Sequence, residues 1–253
     1  MTEFAKSQWA KAEFTQKYRE NADIYIVERR RLLELLRSFY KHFISNKPES
    51  FVLDLGCGDG FIIHELLKID DSIAATLIDA SEDMLNKAKE RLKGFKKIHF
   101  IKASFQDILD KNIALQNCDF IISSLAIHHL SMNEKIALFK YIYSHLNADG
   151  YFLNIDVILA PTGDIEQWYL LLWEEWIEER KTSLGIEGNF YDGVLQRYKD
   201  NTDNKPDTLD DQLNALKSIG FKDVDCFYKY GIFTMYGGAA RASIFNNGRQ
   251  GSE

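Results

Sequence analysis

FVLDLGCGDGFI, residues 51–62, decides how the rest of the chain is read. Its first five residues are apolar except for Asp54, and a short continuous apolar run reads as a strand buried on both faces. Gly56, Gly58 and Gly60 follow at alternate positions, and the segment GFIIHELLKI (60–69) then reads as a helix. Residues without Cβ between a strand and a helix permit a tight turn and let a ligand come close to the main chain. The stretch therefore predicts the opening unit of a parallel sheet, with a ligand-binding turn at the carboxyl end of its first strand.

Downstream the same alternation recurs. IAATLIDA (73–80), KIHFIKA (97–103), CDFIISSLA (118–126) and YFLNIDVIL (151–159) read as strands. SEDMLNKAKERLK (81–93) and NEKIALFKYIYSHL (133–146) read as helices, the first capped by Ser81 and the second closed by Asn147 and Gly150. TLDDQLNALKSIGF (208–221) is a capped helix ending at Gly220. VDCFYKYGIFTMYGG (224–238) is a strand pair turning near Tyr230 and Gly231, the second strand antiparallel. Residues 3–45 are helical, with Leu32, Leu35, Leu36, Phe39 and Phe43 on one stripe. Apolar strands alternating with helices mean a sheet covered on both faces, which binds ligands at the carboxyl ends of its strands.

Composition narrows the ligand. The formal net charge is −7, a poor footprint for gripping a phosphate backbone, so a small-molecule substrate is expected and nucleic acid is not. Cys57, Cys118 and Cys226 are few, odd in number and far apart, so no zinc spacing is present and no disulfide framework is suggested. The charged amino-terminal residues lack the apolar run of a signal peptide, and no stretch reaches membrane-spanning length. A cytoplasmic protein, monomeric or homodimeric, is the expectation, with no membrane partner and no metal.

Acids separate the possible nucleotide ligands. Asp79 ends the second strand about 20 residues after the loop, where a carboxylate holds a ribose diol. Asp54 lies just before the loop and Asp59 within it. A pyrophosphate avoids such charges, and the spacing is GxGxG rather than GxGxxG, so a nicotinamide dehydrogenase is disfavoured. S-adenosylmethionine fits better: an amino-acid end, a ribose, an adenine and no phosphate.

LDLGCGDG (53–60), LIDAS (77–81) and ISSLAIHHL (122–130) resemble the class I S-adenosylmethionine-dependent methyltransferases. The resemblance covers residues 50–157, and 208–240 are similar to that family's closing hairpin. It implies a seven-stranded, mostly parallel Rossmann-like α/β sheet with helices on both faces. The expected organisation is an amino-terminal helical lid (1–48), a cofactor-binding core (49–161) and a helical insertion after strand five (162–206) that caps the substrate. A final helix and strand pair (207–240) and a flexible tail (241–253) complete it. By position, Gly56, Cys57, Gly58 and Gly60 shape the loop under the cofactor. Asp54 orients its amino-acid end, Asp79 takes the ribose hydroxyls, and Ala80 and Met84 pack on the adenine or ribose. Ser123 and Leu125 line the methionine side. Where many members carry an acid for the adenine amino group this chain has Ser104, so Ser104, Phe105, Gln106 or Asp107 would make that contact.

Candidate catalytic residues are His128 and Asp156, at the ends of the fourth and fifth strands. A histidine titrates in the range a general base needs. Tyr18, Tyr25, His129, Trp168, Trp173 and Tyr191 are the candidate substrate wall. The reaction expected is methyl transfer to a small molecule by in-line displacement. The alternatives are a carboxymethyl or methyl transferase acting on a tRNA base, with Lys205 holding the cofactor's extra carboxylate, and a non-catalytic cofactor-binding protein.

Overall fold

The computed structural model describes residues 7–47, 49–111, 113, 115–191, 198–200 and 202–240. The expected tail over 241–253 lies outside the described residues, as does the side chain of Tyr18. One seven-stranded sheet organises the chain, in the order β3-β2-β1-β4-β5-β7-β6. The strands are β1 (Phe51–Leu55), β2 (Ala74–Asp79), β3 (Ile98–Lys102), β4 (Cys118–Ser124), β5 (Leu146–Val157), β6 (Lys222–Tyr230) and β7 (Phe233–Ala239). β1 pairs in parallel with β2 and β4, and β7 pairs antiparallel with β5 and β6. Strand order reverses beside β1, so its carboxyl end faces the crevice where such sheets bind ligands.

Side chains alternate across each strand, and the two faces collect separate cores. Val52, Phe120 and Ile122 face the layer of α3 (Arg29–Phe43), α4 (Phe61–Leu67) and α5 (Glu82–Arg91). Leu53, Leu55 and Ile121 face α7 (Met132–His145) and the helix Leu209–Ile219. This two-sided burial is why the strands read as unbroken apolar runs. Sequence-local caps fix the helix starts: the Ser81 hydroxyl accepts from Met84 N–H, and Ser131 and Glu134 form a reciprocal capping box.

Two local features differ from the sequence reading. The segment Phe105–Lys111 is a short helix, α6, started by Ser104 and Asp107. Strand β5 begins at Leu146, directly after α7, because Cys118 pairs with Leu146 and a bulge absorbs the residues up to Tyr151.

The amino-terminal segment runs through a 3-10 turn (Gln8–Ala10), α1 (Ala12–Glu20) and α2 (Ala22–Tyr25) before α3. The long helix α8 (Gly163–Leu184) packs against α2: the indole N–H groups of Trp173 and Trp176 donate to the carbonyls of Tyr25 and Ile24. The last helix, α9, is Leu209–Ile219, capped by Thr208. No helix among the described residues is long and apolar enough to cross a membrane.

Candidate functional site

The three glycines each do something different. All have positive φ, at 71°, 53° and 72° for Gly56, Gly58 and Gly60. A Cβ on Gly56 would sit 2.4 Å from Ala126 Cβ, so this position lets the loop after β4 close on the turn. A Cβ on Gly60 would press on Ala88 and Leu92, so this glycine serves the packing of α4 against α5 and does not line the cavity described below. At Gly58 a Cβ would meet nothing within 4 Å. Its open face is the one a ligand can approach.

Asp79 is oriented by the same turn. Its carboxylate accepts from Gly58 N–H at 2.9 Å and Ser81 N–H at 2.8 Å. Burial raises its pKa, and these backbone donors pull it back. Asp54 has no such support. It is 0% exposed, and neither carboxyl oxygen meets a donor among the described residues. Burial, with Asp79 and then Asp59 adding repulsion, pushes its pKa up to about 8. Asp59 itself is clasped by Arg91.

These groups line a cavity of about 740 Å³, within the range of small-molecule and cofactor sites. Of the residues expected at a cofactor, Asp54, Gly56, Cys57, Gly58, Asp79, Ala80, Met84, Ser104, Phe105, Gln106 and Leu125 line it. Asp107 is engaged instead by Ser104, whose N–H and hydroxyl it accepts. Ser123 is turned away: its hydroxyl donates to the Leu55 carbonyl at 2.7 Å, and by alternation its neighbour Ser124 faces the cavity.

His128 and Asp156 form a buried pair. Asp156 Oδ1 lies 2.6 Å from His128 Nδ1, and Oδ2 accepts the His128 backbone N–H at 2.9 Å. The imidazole and the Val157 N–H hold the Asp156 carboxyl below its ordinary range in spite of its burial. An ionised carboxylate can only accept, so Nδ1 carries the proton and Nε2 is the basic nitrogen. His128 does not line the large cavity. It lines an adjoining cleft of about 50 Å³, whose walls include Trp9, Phe14, Tyr25, Trp173 and Phe233. Trp9, Ile26 and Leu125 are common to both spaces. His129 does line the large cavity. Its Nδ1 donates to the Asp203 carbonyl at 2.8 Å, and burial, with His128 beside it, pushes its pKa down to about 3.

Of the remaining expected wall residues, Tyr25 and Trp173 reach the cleft. Trp168 is 54% exposed on the outer face of α8, and Tyr191 lines neither space. Trp9, Phe14 and Arg19 were not singled out in the sequence, nor was the strap 202–208 apart from Lys205 and the cap at Thr208. The strap is bolted over the histidines: Lys205 N–H donates to the His128 carbonyl, and the buried Lys135 amino group holds the Lys205 carbonyl and Asp207. Asp203 then accepts from Ser7 hydroxyl and Gln8 N–H, tying the amino-terminal segment to the strap. Thr15 and Arg19 fasten the same segment to Asp83 and Met84. Among the described residues no group of three or more His, Cys, Asp or Glu side chains is placed to hold a metal ion.

A family model described as a methyltransferase domain matches residues 46–195. The chain is 22% identical over 208 residues to the carboxy-S-adenosyl-L-methionine synthase of Nautilia profundicola, covering 81% of this chain and 82% of that one. It is 25% identical over 192 residues to the synthase of the same name from Helicobacter pylori, covering 74% and 73%. Among solved structures it resembles an O-methyltransferase family protein from Burkholderia thailandensis, with a TM-score of 0.65 at 12% identity over 94% of this chain and 63% of that one. An O-methyltransferase family 2 protein from Planctomyces limnophilus gives a TM-score of 0.53 at 17% identity, over 78% and 51%. The chain thus spans less than two thirds of the length of either solved structure.

Proposed function

We propose, from the premise that the chain belongs to the methyltransferase-domain family of class I S-adenosylmethionine-dependent enzymes, that it methylates a small-molecule acceptor beside His128. The observation that carries this reading is the His128–Asp156 pair opening on a 50 Å³ aromatic cleft that adjoins the main cavity. The residues present fit the cofactor. Asp54, buried without a donor, matches an ammonium, and Asp79, held by two backbone N–H groups, matches a ribose diol. Ala80, Met84 and Phe105 offer an apolar wall for a base, with Ser104 and Gln106 beside it. Bound there, S-adenosylmethionine supplies an electrophilic methyl carbon on a sulfonium.

The chain's part is alignment and proton removal. His128 Nε2 accepts the acceptor's proton, and Asp156 holds the ring in the needed tautomer and stabilises its charged form. The amino-terminal segment and the strap exclude water from the cleft. Room for a few atoms, walled by Trp9, Phe14 and Trp173, suits the reactive end of a small acceptor better than a base on a folded nucleic acid.

The test is label transfer from methyl-labelled cofactor to a cell extract separated by size. Label in the low-molecular-mass fraction, lost with Asp156→Asn, is expected. Label confined to RNA or protein would refute the small-molecule acceptor.

A second reading has one observation in its favour. Relatives at 22% and 25% identity are named carboxy-S-adenosyl-L-methionine synthases. A carboxylated cofactor needs a cation, and Lys205 lines the cavity with no hydrogen bond or ion pair to its amino group among the described residues. Mass spectrometry of the nucleoside that co-purifies with the protein separates the two: a carboxylated species supports the second reading, and its absence in a loaded sample the first.

A further inference from the structure

We propose that cofactor binding at this site is a proton exchange: in the ligand-free protein Asp54 is a neutral acid, and it gives its proton to solvent when the cofactor's ammonium arrives. The inference rests on the assignment of the cavity to S-adenosylmethionine. It goes further by naming a charge-selecting device within the site.

The geometry carries the argument. Asp54 is the penultimate residue of β1, fully buried, and no hydrogen-bond donor of the described chain reaches either oxygen. A lone buried carboxylate is costly to ionise, and it stays neutral unless a cation or donors come to it. The charges that act on it are the Asp79 and Asp59 carboxylates, and both oppose ionisation. Its pKa of about 8 agrees with that arrangement.

Three of the four lysine and arginine side chains that line the cavity are committed elsewhere. Arg91 from α5 is clasped to Asp59, and Arg29 from α3 is paired with Asp23 at 2.6 Å. Arg19 from α1 leans on Met84 and Asp83. Lys205, on the strap, does not contact Asp54. Of the remaining groups on the cavity wall, Cys57 stays a thiol because burial pushes it well up, and His129 is held neutral. Glu20 and Asp203 are acids and add no compensating charge. Before the ligand arrives, no cation of the described chain therefore meets either oxygen of Asp54. An ammonium entering beside it supplies one and favours the carboxylate. No bond other than O–H is broken: the proton leaves Asp54 for buffer, and an ion pair replaces a neutral acid.

Two consequences follow at pH 6–7, where a free α-amino group is still protonated. Each cofactor bound releases close to one proton. The dissociation constant falls about tenfold per pH unit, as a one-proton linkage requires.

The experiment is isothermal titration of the full chain with S-adenosylmethionine, S-adenosylhomocysteine and 5′-methylthioadenosine. Each is run at pH 6.5 in two buffers of different ionisation enthalpy, then at pH 6.0 and 7.0. The first two ligands carry the ammonium and should each release about one proton with a tenfold change in affinity per unit. The third lacks the amino-acid end and should bind with no proton release and no pH dependence. Asp54→Asn, which mimics the neutral acid, should show no release with any ligand. If S-adenosylmethionine and S-adenosylhomocysteine bind without releasing a proton, or if 5′-methylthioadenosine releases one as well, the proposal is overturned while the cofactor assignment stands. No binding by any of the three in a folded sample would instead overturn the cofactor assignment, and this inference with it. The comparison among ligands needs only the wild-type chain, so it holds even if the asparagine variant does not fold.

Discussion

Replacing Gly58 with alanine should weaken cofactor binding more than it weakens the fold, whereas the same change two residues earlier should act in the opposite order. Both glycines have positive φ, at 53° and 71°, and an L-residue there costs about 1–2 kcal/mol. At Gly58 that strain is the whole cost, because an added Cβ meets nothing within 4 Å. For a chain of this size the expected loss in Tm is roughly 2–8 °C. At Gly56 the Cβ would also sit 2.4 Å from Ala126 Cβ. Overpacking adds about 1–3 kcal/mol, for a total of roughly 2–5 kcal/mol. Binding should reverse the order. The new methyl at Gly58 projects into the cavity, and a ligand lying against the turn must give way. Titration with S-adenosylhomocysteine should show an affinity loss of at least tenfold, about 1.4 kcal/mol. Thermal melts and titrations on the two variants read both quantities. A Gly58→Ala protein that binds as tightly as wild type would refute the placement of the ligand against this loop. A Gly56→Ala protein no less stable than Gly58→Ala would refute the packing role given to Ala126.

The other expectations concern acids, the histidine pair and the amino-terminal segment. The folded pKa of Asp54 is raised, so its contribution to stability is full below about pH 4, its ordinary carboxylate range, and is lost as pH rises toward about 8. Urea unfolding of the ligand-free protein should therefore show Asp54→Asn gaining on wild type by about 1.4 kcal/mol per pH unit between pH 5 and 7; a constant difference would contradict the buried neutral acid. Asp156→Asn removes the charge and replaces with a donor one of the two oxygens that meet His128 Nδ1, at 2.6 Å, and its backbone N–H, and turnover should drop about 10²–10⁴-fold with S-adenosylhomocysteine affinity within a few-fold. Equal losses in both would make the pair structural. Trp173→Phe leaves the Tyr25 carbonyl, now bonded at 2.9 Å, without its donor. A cost of about 1–3 kcal/mol should appear in chemical denaturation, and an unchanged midpoint would mean that α8 does not anchor the amino-terminal segment through this bond.

What the sequence determined by itself is what neighbouring residues settle among themselves. The strand FVLDL, the glycine turn and the Asp79 position are spelled within contiguous stretches, because backbone conformation and burial on both faces act on every residue of a short run. The caps Ser81 and Thr208 were legible for the same reason: each bonds to a backbone group three residues on. Helix α6 was missed, since two turns hold too little apolar periodicity to register, although Ser104 and Asp107 carried its cap. Ser123 shows the limit of strand reading. A shift of one residue decides which side chain faces the cavity, and pairing with β1 fixed that choice in favour of Ser124. The rest was decided by packing. Asp156 and His128 were each visible as candidates, but their bond spans 28 residues and exists only because β4 and β5 end side by side. Asp203 meets Ser7 across 196 residues, and no local pattern encodes that approach. Such contacts depend on where separate helices and loops settle against the sheet, so the glycine turn at the floor of the large cavity could be read from the chain while the strap and the adjoining cleft came only from the fold.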